Sequence, residues 1–259
     1  MCGRFSLAVD PEVLMQHFDL HLDAQEDAQE AGIPPLAPRY NIAPSQPVLV
    51  VVASEAGEQG SLPRKATHFR WGLVPAWSKV FKGGWINARS ETAAEKPSFR
   101  TALRRRRCLI PADGFYEWTG SGKTKQPYWI HLPERPVFAF AGIWERWQGP
   151  EGSVVETCAI LNTTANALMQ VLHERMPVIL PPEAYDDWLD PNLQDPKRVV
   201  SLLHPFPPEA MVAYPVSTHV NSPRHEDPAC REPVGEPVTV LSLGSTAVAH
   251  SRQLDQPTL

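Results

Sequence analysis

The chain has 259 residues, of which 42% are hydrophobic and 20% charged, enough apolar material for one large domain or two small ones. Its net charge of −5 excludes a global basic field for nucleic acid or acidic membrane, so an anionic partner must be met by a local patch. No apolar run reaches the roughly 18 residues of a membrane span, and the opening MCGRFSLAVDPEV lacks a signal peptide's basic and apolar regions, which sets the cytoplasm as the expected location.

Proline, at 28 residues, is about twice its usual ~5% share and predicts short elements joined by shaped loops. Asp10-Pro11 supplies an N-cap and first turn for a helix over DPEVLMQHF. Residues 21–38, acidic and then proline-rich, read as a loop. PVLVVVA (47–53) predicts a buried strand, SEAGEQGSLPR a hairpin-type connection and ATHFRWGLV (66–74) the return strand. KPSFRTALRRRR (96–107) reads as a helix, and CLIPADGFYEW as a strand pair interrupted by Asp-Gly. QPYWIHL, VFAFAGIWERW and SVVETCAILNT are further strands. TANALMQVLH, PEAYDDWL and DPKRVVSLLH read as helices, and MVAYPVS as a last strand. Beyond about Gly244 the chain turns polar and aperiodic, which predicts disorder. No linker divides the chain, so the expectation is one α+β, β-rich domain with peripheral short helices.

The four cysteines, Cys2, Cys108, Cys158 and Cys230, form no C-x-x-C pair, so no metal site is expected. Cys108 and Cys158 border apolar runs and read as buried small hydrophobes. Cys2 differs. With Met1 removed it would carry a thiol and a free α-amine in one residue, two nucleophiles with ordinary pKa values near 8.5 and about 7.7–8.0. An aldehyde meeting this 1,2-aminothiol can form an imine that the thiol closes to a thiazolidine. The thiol could equally attack an amide with the amine as base.

In GFYEW (114–118), strand alternation puts Phe115 and Glu117 on one face and Tyr116 and Trp118 on the other. A carboxylate among aromatics should be partly desolvated, which raises its pKa and suits acid–base work; the alternative is a strand-end Glu facing solvent or an arginine. Asn87 and Arg89 in WINARSET share a face if extended and suit an oxyanion or phosphate; alternatively Asn87 caps a helix. His173 and Arg175 in VLHERMPVIL follow a predicted helix, where His173 either protonates a leaving oxygen or caps the helix. Trp71 and Trp77 lie in a proline–aromatic loop, as core residues or base-stacking ones. Arg104, Arg105, Arg106 and Arg107 form the densest basic cluster, either a solvated helix face or a track for a backbone.

Together and in order, MCGRF, RYNIAPSQ, WGLVPAW, INARSET, ADGFYEW and HERMPVIL resemble the signature blocks of the SRAP family, SOS response-associated peptidase-like proteins that process abasic sites. The resemblance runs from Cys2 to about Val220. It implies a single SRAP domain over 1–220 with a barrel-like core of antiparallel or mixed sheet, and a C-terminal extension over 221–259. It further implies covalent capture of abasic sites in single-stranded DNA during the SOS response, with peptidase and lyase-type activity and no cofactor or metal. Carried over by motif, Cys2 is the nucleophile, Asn87 holds the opened sugar and the Cys2 end, Glu117 serves imine formation and release, and His173 opens the deoxyribose ring. Arg4, Arg89 and Arg175 bind flanking phosphates, while Asn41, Pro44, Trp77 and Trp118 line the DNA. The implied protein is a nucleoid-associated monomer with the replication machinery as a further partner.

Two alternatives stand beside this. MCG also opens class II glutamine amidotransferases, whose N-terminal cysteine attacks the glutamine amide; that reading wants an ammonia-using domain, and no nucleotide motif is present. The arginines and tryptophans alone would make a non-catalytic single-strand binder.

Overall fold

The computed structural model describes residues 2–20, 37–54, 63–120, 122 and 125–243. Its core is a closed five-strand barrel. β3 (Pro47–Ala53) pairs antiparallel along its whole length with β4 (Arg64–Trp71), as the two apolar runs predict. β3 also meets β6 (Arg107–Ala112), which runs antiparallel to β9 (Phe138–Gln148). β9 pairs in turn with β10 (Val154–Thr164), and β10 returns to β4 in a parallel contact at Thr157–Arg70 and Cys158–Trp71, closing the ring. β6 is covered on both faces, every one of its residues being buried. Gly142 on β9 sits where strands crowd, since a Cβ there would lie 2.7 Å from Cys108 Sγ and 2.9 Å from Ile110.

Short strands extend β10 past the barrel. β5 (Asn87–Arg89) pairs with it in parallel and β11 (Arg175–Pro177) antiparallel, while β12 (Ile179–Leu180) borders β9. A second sheet holds β13 (Val212–Pro215), β8 (Gln126–His131), β7 (Gly114–Thr119), β1 (Phe5–Leu7) and β2 (Arg39–Ile42), in that order. Edge-to-face aromatic contacts join it to the barrel: Phe5 meets Trp71 at 5.2 Å and Phe140 at 5.8 Å, and Phe115 meets Phe140 at 5.9 Å.

The helices are short and peripheral. α1 (Pro11–Phe18) starts as predicted, with the Asp10 carboxylate accepting from the Glu12 N–H at 2.8 Å. α2 (Ser90–Ala93), α3 (Arg100–Arg105), α4 (Tyr185–Leu189) and α5 (Pro196–Val200) are shorter still, with Asp195 capping α5.

Several expectations need correction. The helix predicted over 96–107 is confined to α3, because Arg107 enters the barrel wall as the first residue of β6. TANALMQVLH forms only a 3-10 turn at Met169–Val171. The strands either side of Asp113-Gly114 are not a pair: β6 belongs to the barrel and β7 to the second sheet. Asp113 anchors the crossover, accepting from Ser6 Oγ, the Ala8 N–H and Arg231. The arginine run is also divided. Arg104 and Arg105 are exposed, Arg106 pairs with Glu145, and the buried Arg107 guanidinium donates to the carbonyls of Leu103, Arg104, Trp188 and Asp190. The predicted hairpin connection and tail fall largely outside the described residues. No described helix is long and apolar enough to cross a membrane.

Candidate active site

The second sheet meets the barrel's extension at the start of the chain. The Tyr116 N–H donates to the Arg4 carbonyl at 2.9 Å, so the segment before β1 continues antiparallel beside β7 and brings Cys2 level with its end. Across the seam, β5 supplies Asn87, whose Nδ2 donates to the Cys2 carbonyl at 2.9 Å. Asn87 is thus a strand residue clasping the N-terminal segment and does not cap a helix. Its Oδ1 is buried with no hydrogen-bond partner among the described residues, an acceptor held ready beside Cys2.

Cys2 is completely buried, and its Sγ lies 3.7 Å from the Arg4 carbonyl. Burial, and then the nearby Glu117 carboxylate, push its thiol well above the ordinary thiol range.

Glu117 is only 3% exposed. It shares the β7 face of Phe115, a main-core residue, whereas Tyr116 and Trp118 pack into a separate cluster with Val216, Val220 and Cys230, as alternation predicts. Burial raises the Glu117 pKa, with the N-terminal ammonium and then His173 opposing the rise, so the carboxyl stands within electrostatic reach of both His173 and Cys2.

His173 follows the 3-10 turn and precedes β11. Its Nδ1 accepts the Arg175 N–H at 2.9 Å. A ring nitrogen that accepts carries no proton, so the neutral ring is protonated on Nε2. The sequence thus brings together Cys2, Asn87, Glu117 and His173 from four separate stretches.

The expected phosphate ligands are in different states. Arg89 is exposed on β5. Arg4 donates to Asn41 Oδ1 at 2.5 Å and to the Val220 carbonyl at 2.9 Å, and lies over the Trp118 ring. Arg175 grips Glu91 with both terminal nitrogens, at 2.7 and 2.8 Å, and turns Nε and Nη2 to Asn162 Oδ1. A phosphate reaching Arg175 must replace the Glu91 carboxylate. Sequence reasoning missed Glu91 and Asn162; Glu91 stood in the INARSET block, but nothing local announced its partner.

Asn41 lies inside the fold. It is fully buried, and its Nδ2 faces the carbonyls of Val220, Ser222 and His225, so its side chain braces that segment instead of lining a strand. Pro44 is half-buried before Ser45, whose φ of 73° marks a tight turn. Trp118 is half-buried, its Nε1 donating to Asn221 Oδ1 at 2.7 Å. Trp71 is core, its Nε1 donating to the Ile86 carbonyl. Trp77 is 65% exposed on a loop that Glu145 and Trp147 pin through Ala76 N–H and the Ser78 carbonyl. Trp85, absent from the residues the sequence points to, is also exposed, bridging back to Leu73 and meeting Phe99 edge-on. A largely apolar cavity of about 450 Å³, lined by Leu132, Ile179 and Phe206 among others, includes none of these residues.

The model of the SOS response associated peptidase (SRAP) family matches residues 1–223. The chain belongs to the SRAP family. A Bacillus subtilis relative, the abasic site processing protein YoqW, is 44% identical over 231 residues, covering 88% of this chain and 97% of its own length. The chicken (Gallus gallus) abasic site processing protein HMCES is 34% identical over 241 residues, 81% of this SRAP chain and 70% of HMCES. Among solved structures, a Bacteroides thetaiotaomicron protein matches with a TM-score of 0.77 at 29% identity, covering 90% of this chain and all of that one.

Proposed function

We propose that this SRAP protein, once Met1 is removed, processes abasic sites in single-stranded DNA by forming a thiazolidine with Cys2. The observation that carries the reading is the convergence on Cys2 of Asn87, through a 2.9 Å hydrogen bond, and of Glu117, through its electrostatic influence on the thiol, with His173 acting in turn on Glu117. The names of the relatives, abasic site processing proteins, support the choice of substrate.

The order of steps follows from the protonation states. An abasic sugar is mostly a closed hemiacetal. The Nε2–H of His173 faces the task of polarising its ring oxygen, which frees the C1′ aldehyde. The Cys2 α-amine attacks that aldehyde and water leaves, giving an imine. The buried thiol is too weakly acidic to attack first; its sulfur then adds to the imine carbon while its proton passes to nitrogen, closing the five-membered ring. Glu117, whose pKa burial raises, carries the protons of water loss and ring closure and, in reverse, of release. The ring removes the imine that would otherwise hydrolyse or promote β-elimination of the strand. Removal of Met1 is itself a peptide-bond cleavage, in keeping with the family's peptidase label.

Exposed Trp77 and Arg89 offer stacking and phosphate contact to an unpaired strand. The deciding experiment mixes the protein with single-stranded DNA carrying one abasic site and follows a denaturation-resistant adduct by gel and intact mass. Cys2→Ala abolishes it and Cys2→Ser leaves at most a labile one. Full crosslinking by chains that mass analysis shows to retain Met1 would overturn the mechanism.

A further inference from the structure

A second cluster of reactive side chains lies on the other face of β7, outside the chemistry assigned above. After β13 the chain makes two 3-10 turns, Thr218–Asn221 and Pro228–Arg231, each started by a side-chain cap: Ser217 Oγ accepts from the His219 N–H and Asp227 Oδ1 from the Ala229 N–H. The turns bring His219 Nε2, an Asp227 carboxylate oxygen and Cys230 Sγ within 4.8 Å of one another. Asp227 Oδ2 already lies 2.9 Å from His219 Nε2. Cys230 is fully buried, while the His219 and Asp227 side chains are 34% and 48% exposed. The cluster therefore has a closed sulfur side and an open side toward water. His225 stacks on the His219 ring at 3.8 Å and bonds through Nδ1 to the His219 carbonyl, which steadies the imidazole, while its own carbonyl accepts the Cys230 thiol at 3.5 Å, a contact that ends when the sulfur loses its proton to bind metal.

We propose that His219, Asp227 and Cys230 form a binding site for a zinc-type divalent cation, with water as the fourth ligand. The donor set decides the class of ion. One thiolate, one imidazole and one carboxylate suit a tetrahedral, borderline-soft ion such as Zn²⁺, whereas Ca²⁺ and Mg²⁺ require oxygen ligands in larger number. Binding releases the Cys230 thiol proton to solvent and replaces the His219–Asp227 hydrogen bond with two metal bonds, so affinity rises with pH. The sequence spacing, with seven residues between His219 and Asp227 and two between Asp227 and Cys230, matches no familiar metal motif. The two caps and the fold of the segment create the site.

The ion would fasten a segment that carries little regular structure but supports the Arg4 side of the candidate active site. Val220 supplies the carbonyl that holds Arg4 and Asn41, and Asn221 supplies the acceptor for Trp118. The inference does not depend on the proposed reaction, and its test needs no DNA.

Chelator-treated full-length protein is titrated with Co²⁺ and then Zn²⁺. The expected result is one Co²⁺ per chain, with thiolate-to-cobalt absorption in the near ultraviolet, visible bands of tetrahedral cobalt, and their loss when Zn²⁺ is added. Cys230→Ser and Cys230→Ala lose the thiolate band, and Asp227→Asn and His219→Ala weaken binding. Cys2→Ala retains the band, which separates this site from metal capture by an N-terminal aminothiol. Thermal unfolding supplies a second readout: Zn²⁺ in excess raises Tm of the unmodified protein by several degrees and leaves both Cys230 variants, folded by circular dichroism, unmoved. Absence of a thiolate band in the unmodified protein, or a band that persists in Cys230→Ser and vanishes in Cys2→Ala, would overturn the proposal.

Discussion

Replacing Glu117 with glutamine should make the protein more stable and less active at once. Burial raises the Glu117 carboxyl above the usual carboxylate range, with the N-terminal ammonium and then His173 pulling the other way. A carboxyl whose pKa is higher in the folded chain than in the unfolded one holds more protons when folded. Fold stability then falls as pH rises through the window between the two values. Below that window the carboxyl is neutral in both states and costs nothing; above it the ionised group sits desolvated, 3% exposed on a core-facing strand position. Glutamine has the same shape and cannot ionise. The raised pKa is itself a net cost of ionising the carboxyl in place, so Glu117→Gln should gain on the order of 1 kcal/mol at neutral pH, a rise of a few degrees in Tm. The gain should shrink toward zero as pH falls to about 4, the ordinary range of an unfolded glutamate. Adduct formation should slow by roughly 10²–10⁴-fold, the usual contribution of a positioned acid–base group. Thermal melts across this pH range, paired with time courses of adduct formation, measure both effects. A variant no more stable than the parent at neutral pH would refute the desolvated carboxyl, and one crosslinking at the parental rate would refute its role as a proton carrier.

Other substitutions separate the structural arginines and tryptophans from the functional ones. Arg107→Ala strands four carbonyl acceptors and should cost about 2–4 kcal/mol, whereas Arg104→Ala and Arg105→Ala should stay within about 0.5 kcal/mol in denaturant unfolding. Trp77→Ala should leave Tm nearly unchanged yet weaken single-strand binding by about 1–3 kcal/mol, read by fluorescence anisotropy; unchanged affinity would remove Trp77 from the DNA surface. Glu91→Gln removes the carboxylate that occupies the Arg175 fork. Noncovalent DNA affinity should rise and its salt slope steepen by about one phosphate contact, and an unchanged slope would show that Arg175 meets no phosphate. Gly142→Ala forces a methyl into Cys108 and Ile110 and should destabilise the barrel by about 1–3 kcal/mol in the same unfolding assay.

The sequence alone determined what depends on near neighbours. Pro47–Ala53 is apolar throughout and became a barrel strand; Asp10-Pro11 and Asp195-Pro196 started helices; alternation through GFYEW put Glu117 with Phe115 and away from Trp118. These outcomes follow from backbone periodicity and capping, which act over a few residues. The candidate active-site residues were visible as motif blocks, because their chemical types and local spacing are written in order along the chain. Tertiary structure decided the rest. Whether β6 and β7 pair with each other or part into different sheets depends on barrel closure through β9 and β10, contacts distant in sequence. Whether an arginine in LRRRRC is solvated or buried depends on the carbonyls of Trp188 and Asp190 folding over it. The same holds for Asn41, drawn inward by carbonyls of residues 220–225, and for Arg175, met by Glu91. A side chain's type states what it can bond, but its partner is selected only when the chain's remote parts are packed together and each buried polar group must find an acceptor or donor.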